Sequence, residues 1–304
     1  MMSSRTEEQH AACRAGAAFA IACAIALGAP ALAIASARAF DASRAVSHAA
    51  ALARFGVRVE GTAAEARGAS YVAGVLRGYG YRVWVQRVTL PNGRASRNVI
   101  AERIGRSTSV VVLGAHLDSK RPSPGANDNG SGCGTLLELA RDLRGADVVP
   151  TVRFAFFGAE ESIDGVEAHH HYGSRAYVRS LSSTARARVA GMISVDMVGY
   201  GSRFNVRSMG RGPQGLVSEM LAESRSRGVS MTYLADGGRW GWSDHEAFEV
   251  AGIPAAWLEW RPDPACHTSG DVARRLDSRR VATTGTFLRA WLLGLRAADL
   301  DDWR

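Results

Sequence analysis

Acidic and histidine residues stand at or just beyond the ends of four apolar runs in this chain. The runs are VVVLGAH, TVRFAFF, GMISV and IPAAWLEW, and the polar residues that end or follow them are His116, the pair Glu160 and Glu161, Asp196 and His267. Asp128 lies between the first two runs, in the glycine-rich segment PGANDNGSG. Zn²⁺ takes histidine nitrogens and carboxylate oxygens as ligands, and two such ions about 3.5–4 Å apart hold one water between them. These residue types therefore predict a two-metal hydrolytic site.

The predicted ligands divide into two sets that share one carboxylate. Each metal takes one histidine and one carboxylate while a fifth residue bridges both ions: His116 and Asp196 for the first, Glu161 and His267 for the second, and Asp128 as the bridge. This division leaves Glu160 without a metal. A carboxylate beside a metal-bound water serves as general base, because it accepts the proton of the water and later passes it to the leaving amine. We therefore predict Glu160 as the catalytic base for attack by a metal-bridged hydroxide.

The elements that position these residues follow from the same runs. A continuous β-branched and aromatic run is typical of a strand buried on both faces, and open α/β sheets place their chemistry just beyond the carboxyl ends of such strands. Helical spacing of Leu and Ala alternates with the strands, from a helix that ends near Gly80 to a closing helix over 272–298. We expect one three-layer α/β domain over residues 40–304. Asp118 is expected to hydrogen-bond a ligand histidine without binding metal itself.

Residues 1–39 differ in composition from the rest of the chain. Charged residues around Arg5 and Arg14 precede an Ala-rich apolar stretch that ends in small residues, which is typical of a secretory signal peptide. Cleavage is expected after Ala37 or Ala39 and would place the mature protein in the periplasm or outside the cell. The alternative is an uncleaved N-terminal membrane anchor.

The formal net charge of the chain is +8, and its arginine residues are scattered. Because no basic run is interleaved with aromatic residues, we interpret the charge as a solvated surface and expect no nucleic-acid partner. A stable membrane partner is expected only if the N-terminal segment stays uncleaved. The oligomeric state is left open.

Two cysteines, Cys133 and Cys266, lie beyond the predicted signal segment, each close in sequence to a predicted metal ligand. In an oxidising compartment they would pair as a disulfide. The equally favoured alternative is two buried free thiols.

Seven motifs occur in an order that resembles one family of enzymes. They are AHLDS, PGANDNGSG, FFGAEE, YGSRAYV, SVDMVG, WSDHEAF and CHTSGD, and their order is similar to that of secreted bacterial di-zinc aminopeptidases, which are related to glutaminyl cyclases. The resemblance implies a mixed, mainly parallel sheet of about eight strands between helices, two zinc ions, and peptide substrates with a free N-terminus. It also implies metal binding by the five residues assigned above, Glu160 as the base, and a cis peptide bond after Asp128.

Two positions depart from the family pattern. Cys266 stands where many members carry a tyrosine whose hydroxyl helps to stabilise the oxyanion. A thiol is a poor hydrogen-bond donor, so either another hydroxyl, such as that of Tyr233, or metal polarisation takes its place. Trp242 stands where some relatives carry an arginine that orients the substrate. It belongs to a group of tryptophans of which one or two are expected to line an apolar pocket for the first substrate residue.

Two further segments are expected near the site. Asp244 and His245 resemble a family segment that supports the pocket, and a helix start capped by Ser243 is as well supported as a direct substrate role. The insertion SIDGVEAHHH contains three histidines over 169–171. We expect it to form an exposed flexible loop, with an accessory metal site or a lid over the active site as alternatives. The histidines concerned are His169, His170 and His171.

The sequence therefore predicts a metal-dependent aminopeptidase, and two alternatives remain. The first is a glutaminyl cyclase, an acyltransferase with a single-zinc site, which is favoured by the segment HLDSK ending on Lys120 and by the long insertion. The second is a metal-binding module that has lost catalysis. The presence of all five ligands and of Glu160 disfavours this second alternative.

Overall fold

The computed structural model describes residues 40–166, 168–237 and 239–304. The predicted signal segment 1–39 lies outside the described residues. Residues from Phe40 onward belong to one compact unit. Within these described ranges, no helix has both the length and the hydropathy that a membrane crossing requires.

Eight strands of the described residues form one sheet. They are β1 (Val83–Thr89), β2 (Ala95–Arg103), β3 (Val110–His116), β4 (Thr151–Phe157), β5 (Val189–Val195), β6 (Arg203–Ser208), β7 (Thr232–Ala235) and β8 (Ala255–Arg261). Their order across the sheet is β1-β2-β4-β3-β5-β8-β6-β7. The central strands β4, β3, β5 and β8 are parallel neighbours, whereas β1, β2 and β6 make antiparallel pairs. The predicted mixed, mainly parallel sheet is confirmed.

Helices pack on both faces of this sheet. They are α1 (Ala42–Ala53), α2 (Ala63–Gly78), α3 (Gly132–Leu143), α4 (Tyr172–Ser180), α5 (Ser183–Arg188), α6 (Gly215–Ser226), α7 (His245–Val250), α8 (Ser278–Gly294) and α9 (Ala297–Asp301). Alternate residues of β3 face opposite layers. Leu113 packs in the core shared with α1, α2, α3, α6 and α8, whereas Val112 packs in the core shared with α4 and α7. The predicted three-layer α/β/α architecture is confirmed.

Several elements differ from the sequence expectation. Strands β6 and β7 and helix α5 were not expected. β7 has only four residues and all of them are exposed, so no buried apolar run marks it in the sequence. The closing helix begins at Ser278 and not at Val272, because the Asp277 side chain caps it by accepting from Arg279 N at 2.9 Å. The end of α2 agrees with expectation, since Gly80 follows it in the left-handed conformation (φ 87°) that glycine adopts readily.

Candidate active site

All six residues predicted for the two-metal site line one cavity of about 580 Å³. His116 ends β3, Asp196 directly follows β5, and Glu160 and Glu161 follow β4. His267 lies on the loop after β8. Because these four strands are parallel neighbours, their carboxyl ends meet at one edge of the sheet. The structure therefore brings together the residues that the apolar runs placed at separate points of the sequence.

Asp128 stands between the two histidines. Its Oδ1 lies 3.0 Å from His116 Nε2, and its Oδ2 lies 3.1 Å from His267 Nε2. On the first side, Asp196 Oδ1 is 3.5 Å from His116 Nε2. On the second side, Glu161 Oε2 is 3.3 Å from His267 Nε2. The side chains therefore form two donor clusters that share Asp128, in the grouping predicted from the sequence.

The loop that carries Asp128 is held by groups that sequence reasoning did not single out. Asp271, on the loop after β8, accepts from Asn127 N at 2.7 Å through Oδ1 and from Asp128 N at 3.1 Å through Oδ2. The Asn129 side chain donates to Val195 O at 3.0 Å. The peptide bond between Asp128 and Asn129 is cis, as the family resemblance implied. The motif CHTSGD contains Asp271, but only the fold shows that its carboxylate reaches the bridging residue.

Asp118 supports the site in a way that differs from the expectation. Its Oδ1 and Oδ2 accept from the backbone amides of Glu160 and Glu161, both at 3.0 Å. Its Oδ1 lies 3.6 Å from His116 Nδ1, which is too long for a hydrogen bond. The predicted bond to a ligand histidine is therefore wrong. A fully buried carboxylate instead fixes the backbone of the two adjacent glutamates.

The histidine-rich insertion is only in part the exposed loop that the sequence predicted: residues 164–166 and Ala168 are exposed, but the histidines are not. His170 and His171 are buried, and His169 is half-buried. His171 Nε2 lies 2.9 Å from Glu160 Oε1, so a residue of the insertion contacts the predicted base. The expectation failed because the segment folds back on the end of β4, where two backbone hydrogen bonds, His171 N to Glu160 O and Tyr172 N to Ala159 O, hold it at 2.8 Å each.

The segment that precedes α7 contributes to the site through Ser243. Its hydroxyl donates to Asp196 Oδ2 at 2.8 Å and leaves Asp196 Oδ1 on the side of His116. Helix α7 begins after Asp244, and the described residues provide no side-chain cap there. The predicted capping role of Ser243 is therefore wrong, because its hydroxyl is used to orient a carboxylate of the site.

The other residues predicted around this segment have distinct surroundings. Asp244 is fully buried, and burial raises the pKa of its carboxyl to about 6 although His171 and His116 lower it. His245 Nε2 lies 2.9 Å from Asp236 Oδ2. Both residues lie behind the cavity wall, whereas the half-exposed Trp242 lines the cavity. Trp242 thus belongs to the pocket surface, and the role of Asp244 and His245 as supports of the pocket stays a prediction.

Cys133 and Cys266 are free thiols, so the disulfide alternative is wrong. Cys133 Sγ donates to His116 O at 3.1 Å in the buried core. Cys266 lines the cavity with its Sγ 3.5 Å from Asp128 Oδ2. Tyr233, which was considered as a replacement hydroxyl, is exposed on β7 and does not line the cavity.

The electrostatics of the site are dominated by buried carboxylates. Burial raises the pKa of Glu160 to about 8, and His116 and His171 act in the opposite direction. Burial also lowers the pKa of His116, but Glu160 and Asp196 outweigh it and raise that pKa well above its ordinary value. Glu161 Oε1 and Asp196 Oδ1 are buried without a hydrogen-bond partner among the described residues. A buried oxygen atom without a hydrogen-bond donor costs free energy of folding, so this cluster is suited to bind cations.

Comparison with known sequences agrees with this geometry. The sequence profile of Peptidase family M28 matches residues 98–292. The chain belongs to this family. The matched region begins in β2 and ends in α8, and it therefore includes both donor clusters and the loop with Asp118. The family resemblance predicted from the seven motifs is confirmed.

Individual relatives are similar to this chain in sequence, and solved structures share its fold. The probable lipoprotein aminopeptidase LpqL of Mycobacterium tuberculosis is 32% identical over 262 residues, which is 74% of this chain and 50% of that protein. The chain spans about half or less of the length of the curated relatives it matches. The zinc aminopeptidase BSAP of Bacillus subtilis shares the fold with a TM-score of 0.75 at 20% identity, covering 86% of this chain and 98% of that chain. A glutaminyl cyclase of Tannerella forsythia also shares it, with a TM-score of 0.74 at 23% identity over 85% of this chain and all (100%) of that chain.

Proposed function

We propose that this M28 chain is a zinc-dependent aminopeptidase that binds two zinc ions and removes the N-terminal residue of peptides. The placement of Asp128 carries the proposal. Each of its carboxylate oxygens lies within 3.1 Å of a different histidine, as one bridging carboxylate between two metal ions requires. A single-metal site would leave one of these two histidines without a metal ion to bind.

The donor set fits two zinc ions. Histidine nitrogens and carboxylate oxygens are the ligands of catalytic zinc, and catalytic sites leave a position open for water or substrate. His116 and Asp196 would hold one ion, Glu161 and His267 the other, and Asp128 both. The unpartnered oxygens of Glu161 and Asp196 support this assignment, because a bound cation would supply the positive charge that no donor among the described residues supplies.

When bound, the ions supply an activated water and polarise the carbonyl of the substrate. The protein supplies the base. Glu160 Oε2 lies 3.9 Å from His116 Nε2, at the edge of the ligand cluster, while Oε1 is held by His171. From this position Oε2 accepts the proton of the attacking water and passes it to the nitrogen of the leaving amine.

The rest of the cavity fits the N-terminus of a peptide. Its acidic groups match a free α-amine, which is cationic near neutral pH. Trp240 and Trp242 line the same cavity and offer apolar surface to the first side chain of the substrate, whereas Trp257, which also lines it, is buried. We therefore expect peptides with a free amine and an apolar first residue to be the preferred substrates.

Hydrolysis of a panel of aminoacyl amides by the zinc-loaded protein tests the proposal, with a chelator as control. Glu160→Gln keeps the volume of the side chain but removes the base. We expect this variant to retain about two zinc ions per chain by elemental analysis and to lose at least about 100-fold in kcat. Undiminished hydrolysis by Glu160→Gln would refute the base assignment.

A glutaminyl cyclase remains the second candidate because Lys120, the residue that favoured it, lines the same cavity. A peptide with N-terminal glutamine separates the two activities. Release of free glutamine supports the aminopeptidase. Formation of pyroglutamate without a released amino acid, together with one zinc ion per chain, would support the cyclase.

We also propose that residues 1–39 are a signal peptide and that the mature protein is secreted or periplasmic. The composition of this segment supports the proposal. N-terminal sequencing of the exported protein is expected to begin at Arg38 or Phe40. An exported protein that still begins at Met1 would support the membrane-anchor alternative.

A further inference from the structure

His171 lies beside the proposed base although it comes from the insertion. Its side chain is buried, with Nε2 at 2.9 Å from Glu160 Oε1 and Nδ1 at 3.5 Å from Glu246 Oε2. The imidazole ring therefore stands between two carboxylates. We propose that His171 is a positioning residue for catalysis: it donates to Oε1 of Glu160 and thereby keeps Oε2 directed at the ligand cluster. This inference rests on the proposed function.

The backbone fixes His171 relative to Glu160 independently of their side chains. His171 N donates to Glu160 O, and Tyr172 N donates to Ala159 O, both at 2.8 Å. Within the insertion, Ile163 N donates to His169 O at 2.7 Å and closes the loop on itself. The insertion therefore leaves the site after Glu161 and returns to it at His171. A contact between the two side chains follows from this return and does not depend on the tip of the loop.

Glu246 on α7 lies on the far side of the imidazole ring, with Oε2 3.5 Å from Nδ1, and Nδ1 has no hydrogen-bond partner among the described residues. Glu246 Oε2 accepts from Gly241 N at 2.7 Å, and its Oε1 pairs with the guanidinium of Arg175. Arg175 therefore neutralises the one carboxylate that an accessory metal at His170 and His171 would need. The cluster of these two histidines with Glu246 is better explained as a support for the base than as a third metal site.

We expect loss of the hydrogen bond from His171 to lower kcat more than it changes the binding of zinc or substrate. A general base must stay within hydrogen-bond reach of the proton that it accepts, and a misplacement of about 1 Å can cost roughly 100-fold in rate. Without the bond from His171, the carboxylate of Glu160 is free to rotate about its last side-chain torsion. His171 is not one of the five proposed metal ligands, so the zinc content is expected to stay nearly unchanged. It is also not one of the tryptophans proposed to contact the substrate, so KM is expected to stay nearly unchanged.

Two substitutions separate the contact with Glu160 from a general structural role. His171→Gln places an amide nitrogen close to the position of Nε2 and keeps the donor to Glu160. His171→Asn reaches only as far as Nδ1, loses that donor, and tolerates the left-handed backbone at this position (φ 54°). His169→Asn, in the same loop but outside the cavity lining, is the matched control.

We expect His171→Asn to lower kcat roughly 10- to 100-fold with KM within about two-fold and with unchanged zinc per chain. His171→Gln should recover most of the lost kcat, and His169→Asn should behave like the wild type. Glu246→Gln, which removes the negative charge 3.5 Å from Nδ1, should give an intermediate loss and provides a second measurement if His171→Asn folds poorly.

Three results would overturn the inference while the proposed function stands. These are a wild-type kcat in His171→Asn, loss of zinc from that variant, and a kcat of His171→Gln as low as that of His171→Asn. A wild-type protein that binds zinc but hydrolyses no aminoacyl substrate would overturn the proposed function as well, so the two failures are distinguishable.

Discussion

Replacing Asp118 by Asn tests how the fold holds the two adjacent glutamates of the site. The carboxylate of Asp118 accepts one backbone amide through each oxygen, from Glu160 and from Glu161, both at 3.0 Å. Asparagine keeps one acceptor oxygen and presents an NH₂ group to the other amide. A hydrogen bond to a charged group contributes roughly 1.5–3 kcal/mol, so the loss of one bond should destabilise the fold by about that amount.

The same substitution should weaken the site itself. Glu160 is the proposed base, and Glu161 is a proposed ligand of one metal ion. A shift of their backbone should therefore affect turnover and metal binding together. Loss of groups that orient metal ligands typically costs about 10- to 100-fold in metal affinity or activity. Urea unfolding gives the change in stability, chelator competition gives the zinc affinity, and hydrolysis of an aminoacyl amide gives kcat.

Asp147→Asn is the matched control, since its carboxylate is exposed and, among the described residues, pairs only with Arg106. A surface ion pair contributes at most about 1 kcal/mol, so this control should stay near the wild type in all three measurements. The reasoning would be refuted if Asp118→Asn kept the stability, zinc affinity and kcat of the wild type. That outcome would mean that the glutamate backbone is held without the Asp118 carboxylate.

Three further predictions concern the metals, the bridging loop and the pocket. Chelation should abolish activity and lower stability, since free zinc at 100 times its Kd adds about 2.7 kcal/mol per site; an unchanged urea midpoint would contradict this. Gly132→Ala should destabilise the fold by roughly 1–3 kcal/mol, because a Cβ there overlaps the carbonyl oxygen of Val195, whereas Gly145→Ala meets nothing within 4 Å and should be nearly neutral in the same unfolding assay. Trp242→Ala should raise KM for apolar N-terminal residues about five-fold, from about 1 kcal/mol of lost apolar contact, and a similar effect of Trp84→Ala, outside the cavity, would argue against a pocket role.

The elements that carry the ligands were predictable because their strands are buried on both faces. β3 and β5 are buried along their whole length, and such runs are distinct in a sequence. β6 was missed although it is buried from Phe204 to Ser208, because its sequence RFNVRS interrupts the apolar residues with polar and charged ones. β7 was missed for the opposite reason. β7 is fully exposed at the sheet edge, where a strand is defined by its backbone pairing with β6 and not by its side chains.

The supporting contacts of the site were harder to predict. Asp118 was expected to bind a histidine, but its oxygens accept from backbone amides, which have no sequence signature. The insertion was expected to be an exposed loop because it is longer than a tight turn, and its tip is exposed. The burial of His171 follows from backbone hydrogen bonds that return it to Glu160, and these depend on the path of the loop.

The sequence by itself determined the chemical groups of the site and the edge of the sheet where they belong, because a buried parallel strand must end where its polar residues begin. Only the tertiary structure decided which oxygen faces which nitrogen. Asp128 meets both histidines because Asp271, distant in sequence, holds its loop, and Glu160 acquires a histidine neighbour because a loop closes on itself. Hydrogen bonds act over about 3 Å, so their partners follow from how loops pack against one another, a property that residue order alone does not encode.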